Sequence, residues 1–417
     1  MVLAAVPIRM RTVDAAGLEI GDGRPPRIMG VLNVSAESPY DPSVFDDPGE
    51  AAEYVDSELV DEGADVVDVG LESANKRFDV LTADQELDRL ETALEAMAST
   101  SGDAVWSIET RYHEVADEAL RRGFDMVNDI CGFADPEMPA VCASHDAAVV
   151  KMASPPDLER PGAIPDVDGI YEALARNGFT EKTIIDPAFG GWTEEKTLAD
   201  DRETFRRLRE FRGYGRPLLV SINRKNFLRD IPGRDTEAAL PASLAATSMA
   251  VERGAHVIRT HDVAETRDAA LIGAEFARER YRETVDGVGI EELDVTTPRE
   301  ATRHLDRLDA TATLADESVV RVLELTGLDG EQARTLRSAT EETAAAFALA
   351  GSATAGTEAE ATATDGSGRT PTHGLLLGTP AALGRVHERV ADDGSPREDA
   401  PLGNAIGRLI DRTGWEK

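Results

Sequence analysis

The chain has 417 residues, with 79 Asp and Glu against 44 Lys and Arg, for a net charge of −35. This length predicts one large domain and an appendage. Because the negative charge is spread along the whole chain, it argues against non-specific nucleic-acid binding. No stretch approaches the ~20 continuous apolar residues of a membrane span. Cys131 and Cys142 make neither a disulfide framework nor a metal motif, so we expect a cytoplasmic protein.

The basic residues are nearly all arginines, because the chain contains only six lysines. A strongly acidic, evenly distributed surface is typical of proteins adapted to high salt, where screening weakens self-repulsion over a few ångströms. We therefore predict a halophilic protein; the alternative is that the acidic surface binds a cationic partner.

Eight apolar runs of strand length alternate with amphipathic helical segments, at 27–33, 64–70, 104–109, 124–130, 146–152, 182–187, 216–222 and 255–260. This alternation predicts an α/β fold, a (β/α)8 barrel over residues 27–283. A doubly wound open sheet is the alternative, but residues 30–36 lack the glycine-rich phosphate turn that such a sheet usually carries.

The remaining chain divides by composition. Residues 1–26 form an N-terminal lead-in, and 284–350 predict a mainly helical C-terminal extension. Residues 351–372 are rich in Gly, Ala, Thr and Glu and predict a disordered linker. Residues 373–417 form a small apolar segment in which no catalytic constellation is apparent.

The seventh strand runs directly into Asn223-Arg-Lys-Asn, which is the most informative feature of the chain. Desolvating cations costs several kcal/mol unless an anionic partner is present. Barrel enzymes place their sites at the C-terminal ends of the strands. Those ends carry a polar or long side chain throughout: Asn33, Glu72 with Ser73, Glu109, Asn128, Met152, Asp186, Asn223 with Arg224 and Lys225, and Arg259 with His261.

These strand ends predict a site with two halves. Glu109, Asn128 and Asp186 suit a flat, amide-like heterocycle, since a buried carboxylate accepts two N–H donors. Asn33, Arg259 and His261 suit a pyrophosphate with Mg²⁺. Any single strand-end residue is as readily a helix cap or a loop contact.

Six segments in order resemble the dihydropteroate synthase family: Ile28-Met-Gly-Val-Leu-Asn-Val-Ser, Ala64-Asp-Val-Val-Asp-Val-Gly-Leu-Glu-Ser, Val127-Asn-Asp-Ile, Ile185-Asp-Pro, Asn223-Arg-Lys-Asn-Phe and Ile258-Arg-Thr-His-Asp-Val. The resemblance implies a pterin-binding barrel that joins 6-hydroxymethyl-7,8-dihydropterin pyrophosphate to 4-aminobenzoate or a related arylamine and releases pyrophosphate. It also implies Mg²⁺ as cofactor and a homodimer.

The resemblance assigns roles residue by residue. It implies that Glu109, Asn128, Met152, Asp186 and Lys225 bind the pterin. It places Ser73, Asn75, Asn223 and Arg224 at the arylamine, Asn33 at the metal and pyrophosphate, and Lys225, Arg259 and His261 in catalysis. We expect Lys225→Ala or Arg259→Ala to abolish product formation with the fold intact.

This chain departs from the family in its loops. Glu109 replaces the usual Asp, and the loops beginning at Ser35, Ser73 and Ala188 differ from Thr-Pro-Asp-Ser-Phe-Ser-Asp-Gly, Ser-Thr-Arg-Pro-Gly and Gly-Phe-Gly-Lys. The identity of the arylamine acceptor therefore stays open. Two alternatives also stay open: a pterin-dependent methyltransferase domain, and a non-catalytic pterin-binding paralogue.

Overall fold

The computed structural model describes residues 12–34, 43–72, 80–190, 195–286, 288–350 and 372–391. The chain divides into two compact units, Met1–Glu292 and Leu293–Lys417. The predicted linker, apart from its last residue, and residues 392–417 lie outside the described part. The unit boundary falls nine residues after the predicted barrel end at 283, because a hairpin that the sequence assigned to the extension belongs to the first unit.

The first unit opens with a hairpin of two short antiparallel strands, β1 (Val13–Ala15) and β2 (Leu18–Ile20). Eight parallel strands follow: β3 (Arg27–Asn33), β4 (Val66–Gly70), β5 (Val105–Thr110), β6 (Met126–Asp129), β7 (Ala148–Met152), β8 (Thr183–Asp186), β9 (Leu219–Ser221) and β10 (Val257–Thr260). The second hairpin, β11 (Arg282–Val285) and β12 (Val288–Glu291), ends the unit.

The eight parallel strands close into a barrel, which confirms the predicted fold. Their order is β8-β7-β6-β5-β4-β3-β10-β9. The gap between β8 and β9 is closed by a parallel bridge from Ile185 to Leu218 and by the Ile185 amide, which donates to Pro217 O at 2.9 Å. All eight strands therefore direct their C-terminal ends to one face of the barrel.

Helices follow the barrel strands: α1 (Pro48–Tyr54), α2 (Ala83–Ser99), α3 (His113–Arg121), α4 (Met138–Ser144), α5 (Val167–Ala175), α6 (Leu198–Arg206), α7 (Asn226–Arg229), α8 (Leu240–Glu252) and α9 (Val263–Glu275). Several begin where the sequence offers a cap. Thr82 with Gln85, and Thr197 with Asp200, form reciprocal capping boxes that satisfy the first free amides of α2 and α6. Among the described residues, no helix is both long enough and apolar enough to cross a membrane.

The N-terminal end of the barrel is closed by the first hairpin. Val13, Ala15 and Ile20 are buried against inward-facing apolar side chains from the barrel strands, such as Met29 and Val66. A second and larger apolar layer fills the space between the strands and the outer helices. Because apolar side chains fill this end of the barrel, the described residues leave room for a ligand at the other end, where the strands finish.

A buried carboxylate, Asp22, forms several ion pairs at the closed, N-terminal end of the barrel. Asp22, whose side chain is 7% exposed, lies within 3.0 Å of the guanidinium groups of Arg212, Arg280 and Arg282. It also accepts from His256 Nε2 at 3.0 Å, while His256 Nδ1 accepts from the Leu218 amide at 3.0 Å. With one ring nitrogen donating and the other accepting, His256 is neutral, in agreement with the lowering of its pKa by burial.

The second unit contains the predicted helices together with a sheet that the sequence did not reveal. Its helices are α10 (Pro298–Arg307), α11 (Gly330–Glu341) and α12 (Pro380–Ala391). Strands β13 (Arg321–Leu328), β14 (Ala346–Leu349) and β15 (Thr372–Gly378) form an antiparallel sheet with β15 in the centre. Within the extension that was predicted to be mainly helical, α11 thus stops at Glu341, and the alanine-rich stretch that follows it contains β14.

Candidate active site

Four residues at the strand ends lie in one register row across neighbouring strands. Asn33 of β3 faces Gly70 of β4, Gly70 faces Glu109 of β5, and Glu109 faces Asn128 of β6. Gly70 leaves the space that the Asn33 amide needs: a Cβ at this position would lie 2.9 Å from Asn33 Oδ1. The predicted residues from three separate strands are therefore brought together.

Arg259 of β10 spans the barrel mouth and forms two ion pairs. Its Nε lies 2.7 Å from Asp68 Oδ2, and its Nη2 lies 2.7 Å from Glu109 Oε2. Burial opposes the charge on Arg259, but the two carboxylates outweigh it and raise the pKa of Arg259. Burial also raises the pKa of Glu109, and Arg259 partly offsets this. Arg259 is thus a fixed cation held at the base of the site.

The sequence analysis missed Asp68, although it organises three other groups. This fully buried carboxylate accepts from Ser107 Oγ at 2.7 Å and from Asn128 Nδ2 at 2.9 Å, in addition to Arg259 Nε. Donation to Asp68 through Nδ2 leaves the Asn128 carbonyl oxygen as an acceptor. A charged residue inside the apolar run Val66-Val-Asp-Val-Gly was the signal that could have identified it.

Asp186 and Lys225 lie on the opposite side of the cavity. Asp186 Oδ1 accepts from the Ala188 amide at 2.8 Å, and Lys225 Nζ donates to Phe189 O at 3.0 Å. Burial raises the pKa of Asp186 to about 6, while the Ala188 amide and the Lys225 charge act against the rise. Burial lowers the pKa of Lys225, and Asp186 opposes this.

A second lysine, Lys196, enters the same site and was also missed by the sequence analysis. Its Nζ donates to Ala188 O at 2.7 Å and lies 3.4 Å from Asp201 Oδ1. It lies eight residues after Ala188, at which the altered loop begins. Since the chain holds only six lysines, the rarity of this residue type was the available signal.

Asn33 and His261 complete the predicted phosphate side. Asn33 Nδ2 donates to Ser43 Oγ at 2.9 Å, which fixes the amide and leaves Oδ1 directed over Gly70. An oriented amide oxygen is a hard ligand of the kind Mg²⁺ accepts, so the residues present fit the predicted ion. Burial, and then the Arg259 charge, lower the pKa of His261 to about 3. His261 is therefore a neutral hydrogen-bonding group here, and not the cation that its type allows.

Asn223 and Arg224, predicted at the arylamine, are both engaged with Asp262. Arg224 makes a bidentate pair with this carboxylate, with Nε at 2.9 Å and Nη2 at 2.7 Å, and its Nη1 donates to the backbone carbonyls of Thr236 and Glu237. Asn223 Nδ2 donates to Asp262 Oδ2 at 2.6 Å. These contacts anchor the turn after β9, where Arg224 has a φ of 47°.

The loop that carries Ser73 and Asn75 lies outside the described residues. The chain on either side of it is tied together by Glu72, which accepts from the Leu81 amide at 3.0 Å and pairs with the buried Arg111. The two predicted arylamine contacts from this loop therefore stay predictions.

The strand-end residues enclose a cavity of about 540 Å³. Its lining contains the predicted groups Glu109, Asn128, Met152, Asp186, Asn223, Arg224, Lys225, Arg259 and His261, together with Lys196 and Asp201. A cavity of this size holds a small organic molecule. The carboxylates and lysines among these lining residues give it acceptors and donors for a polar heterocycle.

Known proteins resemble this chain over the barrel. The sequence pattern of the family described as pterin binding enzymes matches residues 29–261, which is more than half of the chain. The dihydropteroate synthase of Bacillus subtilis is 30% identical over 242 residues, which cover 57% of this chain and 83% of that protein. A probable bifunctional folylpolyglutamate synthase/dihydropteroate synthase of Halobacterium salinarum is 33% identical over 263 residues.

The chain spans about a third of the length of this haloarchaeal relative and of a similar one from Haloferax volcanii, 31% and 29% respectively. Among solved structures, the dihydropteroate synthase of Coxiella burnetii in complex with pteroic acid is 28% identical with a TM-score of 0.54, covering 63% of this chain and 96% of that one. The Thermus thermophilus enzyme in complex with 4-aminobenzoate is 29% identical with a TM-score of 0.52, covering 64% and 100%. The chain therefore belongs to the dihydropteroate synthase family of pterin binding enzymes.

Proposed function

We propose that the protein is a transferase that joins 6-hydroxymethyl-7,8-dihydropterin pyrophosphate to 4-aminobenzoate or a related arylamine. One observation carries the proposal: Glu109, Asn128, Asp186 and Lys225 face one cavity whose floor is the paired cation Arg259. This set offers acceptors for the N–H groups of a pterin beside a cation for a leaving pyrophosphate. The likeness to enzymes solved with pteroic acid and with 4-aminobenzoate supports it.

The pterin half is supported by chemistry that matches each group. Asp186 as carboxylate accepts two donors from the aminopyrimidine edge, and the Asn128 amide oxygen accepts a third. Lys225 donates to a ring nitrogen or carbonyl. The Met152 side chain lines the same cavity and offers an apolar, polarisable surface for the flat ring.

The reaction transfers the pterinylmethyl group. The bond between the methylene carbon and the pyrophosphate oxygen breaks, and its electron pair leaves with the pyrophosphate. The amine of the arylamine forms the new bond to that carbon and then loses one proton. Arg259 and the neutral His261 stabilise the departing oxygens, because preorganised donors favour the transition state where charge develops. Mg²⁺, held through Asn33, would supply further neutralisation of the pyrophosphate.

The acceptor side is the less constrained part of the proposal. Asn223 and Arg224 line the cavity while their donors hold Asp262. We propose that the carboxylate of the arylamine meets them, together with Ser73 and Asn75. The altered loops make a related arylamine as acceptable a candidate as 4-aminobenzoate.

Purified protein in molar salt is expected to release pyrophosphate from the dihydropterin substrate only when Mg²⁺ and an arylamine are both present. The Lys225→Ala variant should bind the pterin at least about tenfold more weakly, because it loses a charge-assisted hydrogen bond. Phosphate-coupled detection of pyrophosphate measures the first quantity, and fluorescence titration with the pterin measures the second.

Lys182→Ala is the matched control, since Lys182 pairs with Asp146 on the surface away from the cavity. The activity of this variant should equal that of the unaltered protein. Pterin binding without turnover on any arylamine would contradict the proposal and would identify a non-catalytic pterin-binding protein.

Pterin affinity is expected to fall as the pH drops below about 6, the pKa of Asp186 in the empty site. Binding of N–H donors favours the carboxylate, so the affinity should fall by up to about tenfold per pH unit below this value. The pKa of Asp186 is raised above its value in the unfolded chain. Asp186 therefore favours the folded state at low pH, and this contribution to folding stability is lost as the pH rises through about 6.

Titrations with dihydropterin between about pH 5 and 8 test this expectation. The Asp186→Asn variant isolates the contribution of Asp186 to the pH dependence of the affinity. The variant should bind weakly at every pH and lose the dependence. An affinity for the unaltered protein that stays flat across this range would refute the role of Asp186.

We further propose a homodimer in the cytoplasm of a cell with high internal salt. Helices α8 and α9 pack closely, with Ser248 Oγ donating to Ala269 O at 2.7 Å. They expose Met249 and Ile272, and Phe276, directly after α9, is 79% exposed. Exposed apolar side chains on two neighbouring helices support an interface between copies of the chain. The net charge of −35 supports the salt adaptation.

A further inference from the structure

The turn at residues 188–190 connects the two groups that face the pterin. The Ala188 amide donates to Asp186 Oδ1, and the Phe189 carbonyl accepts from Lys225 Nζ. Both contacts use the backbone of the turn, so the orientation of Asp186 and Lys225 depends on its shape.

This turn has a backbone conformation that its sequence does not favour. Ala188 has a φ of 59°, in the left-handed region, and Gly190 has a φ of 77°. Glycine adopts this region freely, whereas a residue with a Cβ is strained there. Ala188 is also buried, at 4% exposure. Surrounding contacts must therefore hold the turn in place.

Lys196 and Asp201, which also line the cavity, supply those contacts. Lys196 Nζ donates to Ala188 O at 2.7 Å, and the Gly190 amide donates to both oxygens of Asp201, at 2.9 and 3.0 Å. The Lys196 side chain is 0% exposed and that of Asp201 5%. A buried cation and a buried anion thus bind the two ends of one short turn and pair with each other at 3.4 Å.

We infer that Lys196 and Asp201 are positioning residues that hold the strained 188–190 turn so that Asp186 and Lys225 face the pterin. Two lysines on adjacent carbonyls, Lys196 on Ala188 O and Lys225 on Phe189 O, make the turn a rigid link between Asp201 and the pterin site. The identity of the ligand as a pterin rests on the proposed function. That Lys196 and Asp201 hold the turn does not depend on it.

The structural part is tested without any ligand. Hydrogen–deuterium exchange of the peptide that contains Ala188 and Gly190 should be slow in the unaltered protein. It should accelerate by at least about tenfold in Lys196→Met, since a positioning contact is lost. Ala188→Gly in the same background should restore much of the protection, because glycine removes the strain that the lysine opposes.

Lys151→Met is the matched control. Lys151 is also fully buried and donates to two backbone carbonyls, those of Arg176 and Gly178, but it does not line the cavity. Its loss should leave the exchange of the 188–190 turn and the affinity for pterin unchanged, while lowering overall stability.

The functional part is tested by pterin affinity and by the KM for each substrate. Lys196→Met should weaken pterin binding about tenfold with an unchanged KM for the arylamine, and the Ala188→Gly, Lys196→Met double variant should recover most of the affinity. A merely structural role would lower the folded fraction and leave both KM values unmoved.

The outcomes separate the two proposals. Unchanged exchange in Lys196→Met, or a double variant no better than the single one in exchange, overturns the positioning role. If the unaltered protein binds no pterin while exchange responds as described, the proposed function fails and the role of Lys196 in shaping the turn stands.

Discussion

Replacing Arg259 with alanine is expected to lower product formation strongly and to destabilise the barrel. The change leaves Asp68 and Glu109 without the cation that lies 2.7 Å from each of them. Removing one partner of a buried ion pair costs about 3–5 kcal/mol. Because Arg259 is 16% exposed, we expect a loss near the lower end, about 3 kcal/mol. Loss of a donor at the leaving group lowers turnover by about 10²–10³-fold.

The expected loss of stability differs from the expectation drawn from the sequence, which was that Arg259→Ala leaves the fold intact. From the sequence, Arg259 was expected to bind the pyrophosphate alone. In the structure it also forms ion pairs with the carboxylates of Asp68 and Glu109. Urea unfolding followed by circular dichroism measures the stability, and pyrophosphate release measures the turnover. A variant that lost activity with unchanged unfolding would contradict the structural role of the two ion pairs.

Two further variants separate charge from geometry. Arg259→Lys retains the charge but cannot reach both carboxylates with a planar fork, so it should recover part of the stability and little of the activity. Arg122→Ala removes an arginine from an exposed pair with Glu91, which lies far from the barrel mouth. It should change neither quantity measurably, because solvent screens such pairs.

The barrel was predictable from the sequence because its strands are buried on both faces and read as continuous apolar runs. The first strand, Arg27–Asn33, was predicted at its observed bounds, and the others within a few residues. Asn33, Glu109 and Asn128 were predicted together for a geometric reason, since parallel strands in a barrel finish at the same face.

The contacts inside the site were not predictable in the same way. Arg224 and Asp262 are 38 residues apart, and Arg259 and Asp68 are 191 apart. No local pattern specifies which carboxylate a given arginine reaches, because that choice depends on how the barrel closes. Asp68 itself was missed because it lies inside β4, two positions before the strand end at Gly70, whereas the predicted site residues were those at the strand ends.

The sheet of the second unit was missed for a different reason. Arg321–Leu328 largely alternates half-buried and exposed positions, but it follows a helix and precedes an alanine-rich segment with strong helical preference. Its partner strand begins at Thr372, 44 residues later. A short strand whose partner is distant in sequence gives only a weak signal, because pairing and not propensity stabilises it.

Replacing Asp22 with asparagine is expected to produce the largest loss of stability at the closed end of the barrel. Three arginines and one histidine converge on this carboxylate, which connects the first hairpin region to residues from 212 to 282. Asparagine fills the same volume but leaves three cations without their shared anion. Since the change removes the anion that these cations share, and Arg212 is 4% exposed, we expect a loss of about 3–5 kcal/mol in the free energy of unfolding.

The pH dependence of that loss follows from the pKa of Asp22. Burial alone would raise this pKa, but the His256 hydrogen bond, the Arg212 charge and the Arg280 hydrogen bond lower it well below its usual range. A lowered pKa gives stability that is present above the unfolded value of about 3.9 and is lost only as the pH falls through the folded one. The difference between the unaltered protein and Asp22→Asn should therefore be constant from about pH 5 to 8.

Asp65→Asn provides the comparison at the same end of the barrel. Asp65 pairs with a single arginine, Arg27, and is 24% exposed, so its loss should cost about 1 kcal/mol. Urea unfolding of both variants measures the two losses, and a loss for Asp22→Asn no greater than that for Asp65→Asn would refute the role of the cluster. Because the cavity lies at the opposite end, the folded fraction of either variant should retain the pterin affinity of the unaltered protein.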